Sequence, residues 1–441
     1  MLLEFKVSNF RSFGKEQIFS LIADRKDQSH ADNLIDITPT KSKTKTQLLK
    51  SAAIYGPNAS GKSNLCKAFG FFSDFIISSA TRINLEDPIP KLEPFRLDSK
   101  LRKLPSTFEI DLLINDVEYQ YGFAATRRQV HEEWLFSKPR GGRKSRPLWR
   151  KHDEKSGTTN WVVRGLGKKD QQFITSKTRA NGLFLSRAAE MNVEIVKDLY
   201  SWFNNNMYKI DMSARDLLNS FKLTEMTSEI AFQVNDFKEH IESLIRDADL
   251  GIEGIELEKK KMTLPDSIPV NLKRFVSSIA EFDADSFEVT TMHTSRDTKE
   301  LVRFSLVDDE SMGTLRYYSL LGAVLKVLLN GDILIVDELD CSLHPHLTRN
   351  IVEMFHSEKL NRKGAQLIFT THDSSLMSSS LFRRDQIWFT EKNNESETEL
   401  FSLLDIEKTP RSTSAFERNY HSGRYGAIPQ FGPVLENLKI E

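Results

Sequence analysis

One octapeptide limits the folds open to this chain: Gly56-Pro57-Asn58-Ala59-Ser60-Gly61-Lys62-Ser63. It matches the G-x-x-x-x-G-K-[ST] pattern at every fixed position. It follows Ala52-Ala53-Ile54-Tyr55, which reads as a short buried strand. From Lys62 to about Ile77 the spacing of Phe69, Phe72, Phe75 and Ile76 reads as a helix. Strand, glycine-rich loop and helix together make an anion cradle. Only backbone with few side chains lets successive N–H groups close on a phosphate. The helix N-terminus adds a partial positive charge. Lys62 is then placed to reach β- and γ-phosphates, and the Ser63 hydroxyl to bind Mg²⁺. Asn64 continues the contact surface. The implied ligand is a nucleoside triphosphate with its metal.

A second constellation sits far down the chain. Ile333-Leu334-Ile335-Val336 ends in Asp337-Glu338. A continuous apolar run of this kind belongs in a parallel sheet. Two acids at its end stand at the carboxyl edge of the sheet, where ligands bind in such folds. Asp337 would hold Mg²⁺, directly with Ser63 or through water. Glu338 would polarise an attacking water as general base. The bland alternative is that the pair merely caps a strand.

Composition bounds the rest. The chain has 441 residues, 39% hydrophobic and 28% charged, so two to four domains, or one large domain with an insertion, are expected. Net charge is −1, so any nucleic-acid contact must be a local patch. Two cysteines, Cys66 and Cys341, exclude a disulfide framework and fit a cytoplasmic location. No run of 18 apolar residues suggests a membrane span, and the N-terminus lacks a signal-peptide layout.

Along the chain, residues 2–22 read as a β-hairpin around Asn9–Gly14, and 26–46 as a loop. Residues 106–137 read as short antiparallel strands with a turn at Asn115-Asp116, and 138–170 as basic and turn-rich. Residues 188–248 read as helical. Strands resume at Phe287–Val289 and Leu301–Phe304. A helix is expected over Met312–Leu329, and another strand over Gln366–Thr370. The expected division is 1–187 and 286–441 as two halves of one α/β domain, with 188–285 as a helical insertion.

Well over half the chain separates Lys62 from Asp337. Such spacing resembles that of the ABC-type ATPases, including SMC and RecF-like proteins. Further residues follow in the same order. Glu310-Ser311-Met312-Gly313-Thr314 resembles a degenerate ABC signature at a helix start. Asp340-Cys341-Ser342-Leu343-His344-Pro345 stands where a D-loop would. His372, in Thr370-Thr371-His372-Asp373, stands where a switch histidine would. Asn9-Phe10-Arg11-Ser12-Phe13 resembles the opening turn of RecF-like and SMC-like heads, which puts Arg11 near the nucleotide. Each is weak alone: a lone histidine after a strand is commonly structural, and Ser-x-Gly-Thr is commonly an N-cap.

The resemblance implies a mixed sheet with flanking helices, an antiparallel β subdomain and an inserted helical region. It implies ATP and Mg²⁺ as cofactors. It also implies a head-to-tail homodimer, which can be part of a higher oligomer, in which Ser311 and Gly313 of one copy contact the γ-phosphate held by the other. Glu93–Asp98, Tyr121–Phe123, Leu183–Ser186, Gln386–Lys392 and Gly423–Pro429 are similar to bacterial AAA-type ATPases of the AbiLi and RloA kind. These belong to phage-defence and abortive-infection operons and often work with a separately encoded nuclease. With only residues 373–441 after His372, no fused nuclease is expected. The Glu93–Asp98 segment, where a Q-loop would be sought, offers no glutamine.

Weaker signals remain. Lys138, Arg140, Arg143, Lys144, Arg146, Arg150 and Lys151 surround Trp149 without an acid. They could grip a nucleic-acid backbone or an acidic partner, or form a solvated loop. Glu258–Lys261 reads as a turn. His344 and His346 suggest a D-loop role rather than a metal site. Three functions compete: a defence ATPase controlling an effector nuclease, a RecF-type ATP-gated DNA-binding protein of repair, and an ATP-binding scaffold without turnover. Glu338 argues against the last.

Overall fold

The computed structural model describes residues 1–37, 46–212, 217–248, 250–261, 285–407 and 415–429. The chain divides into two compact units. The first is Met1–Ile210, Val327–Leu339 and Val352–Glu441; the second is Asp211–Lys326 and Asp340–Ile351.

In the first unit, alternation of buried and exposed side chains builds a seven-stranded antiparallel sheet. β1 (Leu2–Ser8) pairs with β2 (Gln17–Ser20) across the expected turn at Asn9–Gly14. Two short strands follow, β3 (Leu34–Asp36) and β4 (Gln47–Leu49). They pair antiparallel, so β3 replaces part of the expected loop at 26–46; residues 38–45 lie outside the described residues. After the P-loop strand β5 (Ser51–Tyr55) come β6 (Ser106–Ile114), β7 (Val117–Thr126), β8 (Gln129–Pro139), β9 (Ser145–Asp153) and β10 (Thr158–Val163). The sheet order is β10-β9-β8-β7-β6-β1-β2. Phe108–Ile110 and Leu112–Ile114 are one strand, and the Asn115-Asp116 turn stands as expected.

The basic stretch corrects the loop reading. Residues 138–151 occupy the end of β8, its turn and most of β9. Outward cations there alternate with inward apolar residues such as Leu148, which hid the strand pattern. Arg150 points inward and is buried. Its Nη1 lies 3.7 Å from the buried Glu133 carboxylate and donates to the Gly182 carbonyl at 2.7 Å. Glu133 also accepts from Tyr121 Oη and from the Phe184 and Leu185 amides. Burial pushes the Glu133 carboxyl up and the Arg150 guanidinium down, and each charge opposes the shift of the other.

The second sheet of this unit has the order β11-β15-β16-β5-β17-β18. Its members are β11 (Met207–Asp211), β15 (Ile333–Asp337), β16 (Gln366–Thr370), β17 (Ile387–Lys392) and β18 (Thr398–Ser402). β15, β16, β5 and β17 run parallel, and every residue of β5, β15 and β16 is buried. Helix α1 (Lys62–Ser78) packs between the two sheets through Leu65, Phe69, Phe72 and Ile76. Phe5 of β1 stacks on Phe69 at 4.0 Å, and Phe72 stacks on Phe123 at 5.3 Å. Replacing one of these buried rings by alanine would cost about 3–5 kcal/mol.

Helices α2 (Lys168–Lys177), α3 (Phe184–Glu190) and α4 (Glu194–Asn205) also belong to the first unit. The stretch 188–285 is therefore not simply helical. β11 joins the parallel sheet beside β15. Helices α5 (Leu217–Gln233) and α6 (Asn235–Asp247) follow, and then β12 (Gly254–Lys261). Residues 262–284 lie outside the described residues. Glu258–Lys261 is the end of β12, not a turn, because it pairs with β13 (Asp285–Thr294).

The second unit carries the three-stranded antiparallel sheet β12-β13-β14, with β14 at Leu301–Ser305. Helix α7 (Met312–Asn330) buries Tyr317, Leu320, Leu321 and Val324. By length and composition it could cross a membrane, but 67% of its apolar stretch is buried inside the protein. Gly322 lets Thr227 of α5 pack against it, since a Cβ there would meet Thr227 Oγ1 at 2.1 Å. Helix α8 (Pro345–His356) follows the acids. Helices α9 (Leu403–Ile406) and α10 (Phe416–His421) complete the described elements.

Candidate nucleotide-binding site

Parallel strands share one carboxyl edge, and here three of them deliver the predicted residues to it. β5 leads into Gly56–Ser63, β15 ends at Asp337, and β16 leads into Thr371-His372. A cleft of about 200 Å³ opens at this edge, lined by Pro57, Asn58, Ala59, Ser60, Gly61, Lys62, Ser63, Asn64, Glu338 and His372. The chain thus brings together residues from three distant stretches.

The loop is held tightly from below. Gly56 has φ +150°, and a Cβ there would meet the Thr390 carbonyl at 2.4 Å. Gly61 has φ +122°, and its Cβ would meet Thr398 Oγ1 at 2.3 Å. Both glycines are required by conformation and by space. Ser60 Oγ lies 2.6 Å from Thr390 Oγ1. Thr398 Oγ1 lies 2.7 Å from the Ser60 carbonyl and 2.8 Å from Ser12 Oγ. Ser12 in turn accepts from Asn64 Nδ2 at 2.8 Å. Ser12, Thr390 and Thr398 hold the cradle without lining it. Thr390 falls in the Gln386–Lys392 segment singled out above, whereas no sequence signal marks Thr398.

The buried Lys62 ammonium donates to the Gly56 and Pro57 carbonyls at 2.7 and 3.2 Å. It lies across the loop, within reach of a phosphate seated there. Asp337 is buried, and its Oδ1 accepts from Thr370 Oγ1 at 2.6 Å. The same hydroxyl oxygen accepts from the Glu338 amide at 2.8 Å. One threonine of the neighbouring strand therefore fixes both acids. Glu338 itself has φ +59°, a left-handed conformation that costs a non-glycine residue about 1–3 kcal/mol and persists where surrounding structure enforces it. It turns the carboxylate out of the strand and into the cleft.

The remaining candidates lie elsewhere. Arg11 does not line the cleft. Its Nη2 lies 3.4 Å from Glu93 Oε1, and its amide donates to the Glu93 carbonyl at 2.7 Å. Its Nε is buried without a hydrogen-bond partner. The Glu93–Asp98 segment thus packs on the Asn9–Phe13 turn. No glutamine lines the cleft among the described residues.

Ser311 and Gly313 open α7 in the second unit and do not line the cleft. Ser311 Oγ accepts from the Thr314 amide at 3.1 Å, as an N-cap does. Within that unit a Cβ on Gly313 would meet the Ser342 carbonyl at 2.9 Å. Arg316 Nη1 donates to the Cys341 carbonyl at 2.9 Å. The signature-like helix start and the D-loop-like segment are therefore neighbours.

Of the two oxygen donors expected to hold Mg²⁺, Ser63 lines the cleft with its hydroxyl, whereas Asp337 is buried at the end of β15 and does not line it. A hydroxyl and a carboxylate are the kind of donor that Mg²⁺ takes. No cluster of three metal-ligating side chains exists among the described residues; His344 and His346 stack on each other at 5.2 Å, and the His346 amide donates to His344 Nδ1 at 3.3 Å.

A glycine-rich loop between a buried parallel strand and a helix, with acids on a second parallel strand, defines a P-loop nucleoside-triphosphatase fold. Residues 51–378 match the family described as "AAA domain, putative AbiEii toxin, Type IV TA system", and the chain belongs to that family. Among solved structures it is similar to a recombination mediator protein, RecF bound to ATP: 15% identity, 85% of this chain and 94% of that chain covered, TM-score 0.33. A second RecF structure, titled RecF-ATPrS, gives 14% identity, coverage of 91% and 98%, and TM-score 0.31. No curated protein matches the chain.

Proposed function

We propose that the chain is a Mg²⁺-dependent ATPase that works as a head-to-tail homodimer, and that its turnover controls a separately encoded effector, of which a nuclease is the favoured class, in defence against phage. The carrying observation is the single cleft that joins the phosphate loop to Glu338 and His372. In this reading the loop amides and the α1 N-terminus hold the β- and γ-phosphates. Lys62 exchanges its two carbonyl partners for phosphate oxygens. Ser63 and Asp337 hold the metal, which supplies charge neutralisation when bound. Glu338 orients the attacking water and takes its proton, while His372 steadies the γ-phosphate side. Ser311 and Gly313 of the second copy would close the site with the N-terminus of α7.

Cys66 and Cys341 are free thiols, which fits action in the cytoplasm. The family description names a putative AbiEii toxin of a Type IV TA system, and that name supports the defence part of this reading. Glu338→Gln should trap the ATP-bound dimer. Light scattering should show a mass shift from monomer to dimer with ATP in this variant, and no shift once Ser311→Arg is added. A Glu338→Gln chain that stays monomeric at saturating ATP would remove the dimer from the reading.

A further inference from the structure

The loop that carries His372 is gripped from outside by α10. Beyond β16 the chain turns tightly: the Asp373 amide donates to Thr371 Oγ1 at 2.9 Å, and Asp373 Oδ1 accepts from the Ser375 amide at 2.9 Å and from Ser375 Oγ at 2.6 Å. Ser374, two residues past His372, faces α10. Its Oγ lies 2.8 Å from His421 Nε2 and 3.4 Å from Glu417 Oε1. A serine hydroxyl has one proton and a carboxylate only accepts. The contact to His421 is the short one, with donor and acceptor set by the histidine tautomer, and the Glu417 carboxylate at 3.4 Å is a weaker second acceptor.

Tyr420, the residue preceding His421 on the same helix, packs on strands β5 and β17. Its ring lies 6.2 Å from Tyr55, the last residue of the P-loop strand, and stacks on Phe389 of β17 at 5.7 Å. Its hydroxyl donates to the Ala427 carbonyl at 2.9 Å. One short helix thus contacts the strand that enters the phosphate loop and the turn that leaves the switch histidine. Phe416, Tyr425 and Ala427 are buried and anchor the segment. The His421 and Glu417 side chains are 61% and 49% exposed, so burial does not account for their placement on Ser374.

We propose that His421, with Glu417, is a positioning residue for ATP hydrolysis: through Ser374 it sets where His372 stands over the cleft. This rests on the ATPase reading. A catalytic group displaced by about 1 Å can lose as much as 100-fold in rate, and an exposed hydrogen bond gives only part of the constraint. The predicted loss for His421→Ala is therefore about tenfold in kcat. Binding contacts to ATP are untouched, so KM and the Kd of a fluorescent ATP analogue stay within about twofold.

The test compares wild type, His421→Ala, His421→Gln, Ser374→Ala and Glu338→Gln in the full chain. Steady-state turnover, analogue binding and melting temperature are read for each. Glutamine can still hydrogen-bond to Ser374, so His421→Gln should recover at least half of the wild-type kcat, while Ser374→Ala should match His421→Ala. Wild-type kcat in His421→Ala, or His421→Gln as slow as His421→Ala, overturns the proposal. So does a loss confined to KM. If the wild-type chain itself does not hydrolyse ATP, the ATPase reading falls and takes this one with it. If wild type and Glu338→Gln behave as expected but His421→Ala is unchanged, only this proposal falls.

Discussion

Two stretches of the chain stand out by composition, and the fold treats them in opposite ways. At the parallel-sheet edge, residues 57–64 line an open cleft. The strain there is carried by Ala59 at φ +63° and Glu338 at φ +59°. In the antiparallel sheet, the cations of 138–151 are largely absorbed. Lys138 pairs with Glu118, Arg140 with Asp116, Arg150 with Glu133 and Lys151 with Glu132. Lys144 lies over Phe136 and Arg146 over Trp149. A glycine loop keeps its meaning in three dimensions because its function is in the backbone. A run of basic side chains can be spent on acids from neighbouring strands, which sequence order does not reveal.

The comparison can be broken at its structural end first. Arg150→Ala should destabilise the first unit by about 3–5 kcal/mol, because it leaves Glu133 buried beside a hydroxyl and two amides without its counter-charge. Urea unfolding measures this, and turnover per folded molecule should be unchanged. A marginal shift would mean that Arg150 is not the internal partner described here.

At the other end, Thr370→Val should keep the fold but loosen both acids. The expected loss is about tenfold in kcat, since one buried hydrogen bond to a charged group contributes roughly 1.5–3 kcal/mol and part is recovered by water. Unchanged kcat would separate Thr370 from the chemistry.

The smallest effect is expected from Arg143→Ala, Lys144→Ala and Arg146→Ala combined. Exposed substitutions of this kind change stability by about 0.5 kcal/mol or less. Hydrolysis should be equally insensitive to added DNA in wild type and triple variant. DNA-stimulated turnover that disappears in the triple variant, with a shallower salt dependence of binding, would favour the DNA-clamp reading instead.

The phosphate loop, its helix, both buried strands and Asp337-Glu338 were legible because each combines a local pattern with a chemical requirement. The hairpin at 2–22, with its turn at Asn9–Gly14, and the helix expected over Met312–Leu329 followed from local pattern, and the helix runs Met312–Asn330. β9 was hidden because outward Lys and Arg mask the alternation around Leu148 and Arg150. β11 was hidden because Met207–Asp211 is too short and mixed to read as a strand until it pairs beside β15. No sequence signal marks Thr398, and although Thr370 and Thr390 lie in segments marked in the sequence, their roles come from strand neighbours far away in the chain. The grip of His421 on Ser374 has the same origin.

The most direct measurement is Mg²⁺-dependent ATP hydrolysis by wild type, Lys62→Ala and Glu338→Gln, with analogue binding read in parallel. Wild type should turn over. Lys62→Ala should lose both binding and turnover. Glu338→Gln should bind ATP normally and lose at least about 100-fold in kcat, the scale of removing a positioned general base. Turnover by Glu338→Gln at the wild-type rate, or ATP binding undiminished in Lys62→Ala, would contradict the assignment of the parallel-sheet edge as the site of hydrolysis.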